Sequence, residues 1–136
     1  MNDFNAGVIA EFRANGGKVG GPFEGRDNMM LMTTIGAKSG RAVTNPLVFV
    51  RDGDGIVLIA SNGGADKNPA WYHNLRANPE FEIEIGVEKF RAKAEVVTGP
   101  QRDALYARMV EVMPQFADYE ANTTRVIPVF VAHRQD

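Results

Sequence analysis

The spacing of apolar residues changes several times along the chain, and each change marks an element. Phe4, Val8, Ile9 and Phe12 share one helical face between Asn2 and Asn15, with Asn2 or Asp3 placed to cap the start and Gly16-Gly17 to stop it. That short amphipathic helix is suited to packing on the domain, with weak contact to a membrane surface as the alternative. Gly16 to Gly21 reads as a connector, because it lacks the Gly-Lys-Ser/Thr ending of a phosphate-binding P-loop. Met29 to Ile35 and Pro46 to Val50 read as strands joined through the turn Gly36 to Arg41, and Asp52-Gly53-Asp54-Gly55 turns into a strand from Ile56 to Ala60.

After the polar loop from Ser61 to Asn68, Pro69 stands where a first helical turn favours proline and leads into a short helix through Leu75, which Asn78-Pro79 ends. Apolar residues then alternate with charged ones, first at Phe81, Ile83, Ile85 and Val87, then at Phe90, Ala92, Ala94 and Val96. This is a hairpin with one buried face. Leu105, Met109, Val110 and Met113 form a helical stripe within Pro100 to Met113, and Val126 to Val131 is an apolar strand. The order αβββαββαβ, with antiparallel strands and few, separated helices, predicts an α+β protein, mainly β, built as a small barrel or open sheet with helices over its ends. No strand is followed by Gly-x-Gly-x-x-Gly, which argues against a Rossmann fold.

With 136 residues, 44% of them hydrophobic, the chain suits one core and a single domain over 1–136. A net charge of -2, from 15 basic and 17 acidic residues with no basic block, excludes a nucleic-acid binder held by a general field. The absence of cysteine removes disulfides, zinc-thiolate sites and thiol nucleophiles, and makes the cytoplasm the default compartment. No stretch approaches the roughly 18 apolar residues of a membrane span. The two histidines, His73 and His133, lack carboxylates at ligand spacing, so no metal is expected.

Three places carry candidate chemistry. The turn Gly36-Ala37-Lys38-Ser39-Gly40-Arg41 offers two cations, a hydroxyl and free backbone N–H groups, enough to bind a phosphate or carboxylate, but a charged hairpin tip that discourages aggregation has the same composition. Ala60-Ser61-Asn62-Gly63-Gly64 leaves a strand toward the Pro69 helix, whose N-terminus could face an anion or a polar ring; the same helix carries Trp71 and Asn74, and Trp71 equally suits a core position. Tyr119 could donate a proton at a pocket mouth or pack a helix end.

Taken in order, Gly36 to Gly40 with Pro46-Leu47, Ala60 to Gly64, Pro69 to Leu75 with Ala77-Asn78-Pro79, and Tyr119 with Ile127-Pro128-Val129 resemble the deazaflavin-dependent nitroreductase family, which includes F420H2-dependent quinone reductases. The resemblance spans nearly the whole chain. It implies a split β-barrel like that of FMN-binding proteins and, as cofactor, coenzyme F420, with FMN as the alternative. Lys38, Ser39, Gly40 and Arg41 would then lie near the phosphate and tail. Asn45, Pro46, Ala60, Ser61, Asn62, Gly63, Gly64, Pro69, Ala70, Trp71 and Asn74 would surround the deazaflavin. The implied reaction is hydride transfer to a quinone, nitroaromatic or activated alkene, in a monomer or homodimer, and a carrier without turnover is the other reading. Where members of the family commonly carry an arginine, a lysine and a substrate-facing tyrosine, this chain has Val43, Asn62 and Phe116.

Overall fold

Alternation decides which side chains each strand buries, and three of the seven strands among the described residues bury both faces over most of their length. The computed structural model describes residues 3–17 and 28–135. Its elements are α1 (Asp3–Ala14), β1 (Met29–Ile35), β2 (Ala42–Val48), β3 (Val50–Asp52), β4 (Gly55–Ile59), α2 (Ala70–Ala77), β5 (Glu80–Ile85), β6 (Glu88–Val97), α3 (Gly99–Val112), α4 (Gln115–Ala121) and β7 (Val129–Arg134). The strands form one antiparallel sheet in the order β2-β1-β5-β6-β7-β4-β3. Its two outermost strands are separated in sequence by Phe49 alone, so the sheet curls until its edges are halves of one continuous stretch. Asn28 holds that step from both sides: its carbonyl accepts from Phe49 N at 3.0 Å, and its amide donates to Phe49 O at 3.3 Å.

One set of alternating residues fills the barrel: Met30 and Met32 from β1, Ile56 and Leu58 from β4, Phe81 and Ile83 from β5, Phe130 from β7, and Trp71 and Leu75 from α2. Each such side chain contributes about 1.5–3 kcal/mol on burial. The opposite faces need helices. Val57 and Ile59 of β4, with Val129 and Val131 of β7, pack under Leu105, Met109 and Phe116 of α3 and α4. Met29 and Leu31 pack under Ile9 and Phe12 of α1. The apolar face of α1 is therefore occupied by β1, and Arg13 ties the helix to β5 through a two-pronged pair with Glu84 at 2.8 and 3.1 Å. The Phe4 side chain and the connector beyond Gly17 lie outside the described residues.

Several boundaries differ from the sequence reading. β2 begins at Ala42 rather than Pro46; a proline is tolerated inside it because β2 lies at a sheet edge, where a missing N–H need break no ladder bond. Val87 belongs to a two-residue turn with Gly86 (φ +58°) and is 89% exposed. β7 starts at Val129, after Pro128, leaving Val126 exposed and adding His133 and Arg134 to the ladder with β6. β3 and α4 are additional elements. The helix α4 restarts at Gln115 after Pro114 and offers only Phe116 and Tyr119 as an apolar signal, too short a run for periodicity.

Candidate cofactor site

Four antiparallel steps separate β1 from β4 in the sheet, so both strands point the same way and the segments leaving them emerge at one end of the barrel. Gly36–Arg41 follows β1 and Ser61–Gly64 follows β4. The helix α2 lies between them, continuing from the second loop and stopping the barrel with Trp71 and Leu75. The buried Asn74 of α2 accepts from Ala37 N at 2.9 Å and donates to the Thr34 hydroxyl at 3.0 Å. One amide thus fixes the first turn to the helix that carries the second loop.

Within the first turn, Gly36 N donates to Arg41 O (2.8 Å), Gly40 N to Gly36 O (2.9 Å) and Arg41 N to the Ser39 hydroxyl (3.2 Å). The Lys38 and Ser39 N–H groups have no partner among the described residues, and neither do the Lys38 and Arg41 side chains. All four residues Lys38 to Arg41 are exposed, and Gly40 (φ +69°) has open space where a Cβ would stand. Two cations without a carboxylate beside two free amides are a donor set for a phosphate or a carboxylate tail.

The second loop makes a single 3-10 turn at Asn62–Gly64. Asn62 (φ +49°), Gly63 (+64°) and Gly64 (+84°) are left-handed in succession, and Gly64 packs on the Tyr119 backbone. The loop is braced from behind by Arg125, whose guanidinium donates to Ala60 O, Ser61 O, Ala65 O and Asn68 Oδ1 at 2.7–3.2 Å. The carbonyls of Ala60, Ser61 and Ala65 are taken up there, while the Asn62 and Gly63 N–H groups and the Ser61 hydroxyl keep no partner among the described residues. The open space at Gly63 leaves room for a flat ring to approach the backbone. Both loops therefore fit a group with a planar polar ring and an anionic tail. Sequence reasoning passed over Arg125, since no charge pattern announces an arginine whose acceptors are all carbonyl and amide oxygens.

The other proposed residues divide. Trp71 is 6% exposed and leans on Phe130 at 5.8 Å, so it forms the wall behind the loops rather than an open stacking surface. Pro69 and Ala70 open α2 at the loop's far end. Asn45 shares the face of Leu47, which lines the barrel interior, whereas Pro46 turns to the face of Val48, toward α1; adjacent strand residues cannot both meet one ligand face. Tyr119 is half-buried with its ring on Phe116 at 5.0 Å, and Phe116 is 5% exposed within the α3/α4 packing. A cavity of about 620 Å³ lined by Phe49, Arg51, Ile85 and Arg108 opens at the opposite barrel end and shares no residue with the two loops. Its size is outweighed by chemistry, because the unsatisfied donors belong to the loops.

Beneath Tyr119, buried Arg102 donates to Ile127 O and Glu120 and lies over the Tyr106 ring at 4.7 Å. The Tyr106 hydroxyl donates to Phe116 O at 2.6 Å, and burial, chiefly, pushes the phenol up to about 12. A phenol raised in the folded state contributes stability below pH 10 that is lost as pH climbs from about 10 to 12. Urea midpoints measured over that range should fall in the wild type and fall less steeply in Tyr106→Phe; parallel slopes would contradict this assignment.

An antiparallel barrel that presents two donor-rich loops at one end is a split-barrel protein for a phosphate-bearing cofactor. Residues 7–134 match the family model described as F420H(2)-dependent quinone reductase, and the chain belongs to that family. It is 36% identical over 131 residues to an F420H(2)-dependent quinone reductase of Mycobacterium tuberculosis, covering 93% of this chain and 87% of the relative. A solved structure described as a domain-swapped dimer superposes with a TM-score of 0.75 at 32% identity, covering 94% of this chain and 93% of the other. The structure of an F420-H2 dependent reductase superposes with a TM-score of 0.72 at 36% identity, covering 78% and 94%.

Proposed function

We propose that this protein, acting as one unit over 1–136, binds reduced coenzyme F420 across the two loops and passes a hydride to a quinone-type acceptor. The observation that carries this is the first turn, where Lys38 and Arg41 stand unpaired beside the free Lys38 and Ser39 amides and Asn74 holds them to the helix of the second loop. When bound, the reduced deazaflavin supplies the hydride. The chain's own residues bind the tail through Lys38, Ser39 and Arg41, offer the Asn62 and Gly63 amides and the Ser61 hydroxyl to the ring edge, and fix the ring's position relative to the acceptor. With Val43 apolar, Lys38 and Arg41 carry most of the grip. Nitroaromatics and activated alkenes remain finer candidates as acceptors, and Phe116, packed inside α3/α4, gives a nitro group no hydroxyl to meet.

Titration of the purified protein with oxidised F420, followed by fluorescence, tests the binding step, and no change at tens of micromolar would end this reading. A yellow protein carrying FMN on purification would replace F420 by the flavin. Oxidation of reduced F420 by a panel of quinones, nitroarenes and enones separates an enzyme from a carrier.

Lys38→Ala should weaken F420 binding by about 1–3 kcal/mol, the size of a charge-assisted hydrogen bond, in the same titration. Tyr119→Phe should lower turnover with little change in cofactor affinity if the phenol meets the acceptor. An unchanged rate would leave Tyr119 to its packing on Phe116. Among the described residues no helix is long and apolar enough to cross a membrane. We place the protein in the cytoplasm; contact with a membrane surface through α1 would have to use residues other than Ile9 and Phe12, which β1 covers.

A further inference from the structure

We infer that Arg125 is a positioning residue that sets the charge preference of the second loop, so that the loop favours the reduced form of a bound hydride carrier, held as the anion that hydride uptake leaves before a proton is added, over the oxidised form. This rests on the cofactor reading above. The Arg125 guanidinium makes five hydrogen bonds, all to neutral oxygens of the segment Ala60–Asn68. No carboxylate neutralises it among the described residues: nearby Asp66 accepts from the Thr123 hydroxyl, and Glu120 pairs with Arg102. A guanidinium that forms no ion pair is therefore held directly against the loop.

The backbone in front of it is shaped for an anion. Ser61 is right-handed (φ -72°, ψ -33°), and Asn62 and Gly63 are left-handed, the succession that turns consecutive N–H groups onto one concave face. Asn62 is the one non-glycine residue at positive φ among the described residues. Such a conformation persists when its surroundings over-determine it, and Arg125 does so by fixing carbonyls before and after the turn. A ring that has taken up a hydride carries one negative charge more than its oxidised form until a proton is added. A unit cation close behind such a nest, in a medium between protein and water, should discriminate between the two forms by about tenfold.

The test measures dissociation constants of oxidised and of reduced F420 separately, the latter without oxygen, for the wild type and two variants. Asn68→Asp keeps the acceptor oxygen that now takes Arg125 Nη1 at 2.7 Å but sets a negative charge against the guanidinium. It should shrink the preference for reduced F420 about tenfold, equivalent to lowering the two-electron potential of the bound cofactor by about 30 mV, with the melting temperature maintained. Arg125→Lys keeps the charge and loses the planar fork, so it should weaken both forms together and leave their ratio intact. A ratio within twofold of the wild type in Asn68→Asp, or a ratio lost in Arg125→Lys, overturns the inference. A wild type that binds neither form would instead remove the cofactor reading, and this inference with it.

Discussion

Replacing Phe130 by alanine should destabilise the fold by about 3–5 kcal/mol, the largest loss expected from a single change in this chain. Phe130 is 1% exposed in β7, between β6 and β4, and both Trp71 and Tyr72 of α2 rest on its ring at 5.8 Å. The lost transfer energy is therefore joined by a cavity beneath α2. That helix positions Asn74, which in turn positions Ala37 and the first turn. A helix that settles into the cavity would move the free donors of the first turn relative to the second loop, so on the proposed function F420 affinity should fall as well. Denaturant unfolding followed by F420 titration of the folded fraction checks both parts. Lost stability with unchanged affinity would mean that α2 keeps its place without Phe130.

Gly64→Ala should cost about 3 kcal/mol and most of the cofactor affinity. At φ +84° a side chain is strained by about 1–3 kcal/mol, and the added Cβ would stand 3.0 Å from the Tyr119 Cα and 3.2 Å from its carbonyl oxygen. Neither neighbour is a flexible tip, so the loop or α4 must shift. Gly63→Ala makes the control: it carries similar strain at φ +64° but meets open space. If the two variants lose equal stability, the backbone strain and not the contact with α4 is responsible.

The alternating strands were legible because Phe81 to Ile85 and Phe90 to Val96 change face at every residue, and burial there follows side-chain direction. The barrel's closure was not, since it depends on β2 and β3 standing at opposite edges of one sheet, a pairing set by residues far apart in sequence. The same holds for the site. Lys38, Ser39 and Arg41 advertise their chemistry by type, and glycines mark both loops. That the loops share one barrel end follows from the parallel direction of β1 and β4, which no local pattern carries. Asn74 could be singled out by its place beside Trp71, but its task as a link between Thr34 and Ala37 appears only in three dimensions. Pro46, singled out beside Asn45, lies on the strand's other face because a pleat reverses direction at each step.

The placement of β7 also orders events in time. It is the last of the described strands to leave the ribosome, yet it sits in the middle of the sheet, hydrogen-bonded to β6 on one side and β4 on the other. Until it arrives, the nascent chain holds two sheet fragments, each with an unpaired edge of buried-type residues, and neither can complete the barrel. The second loop, whose Arg125 brace precedes β7 by a few residues, becomes ordered in the same late interval. The arrival of β7 thus closes the sheet in the same interval that brings in the brace of the second loop.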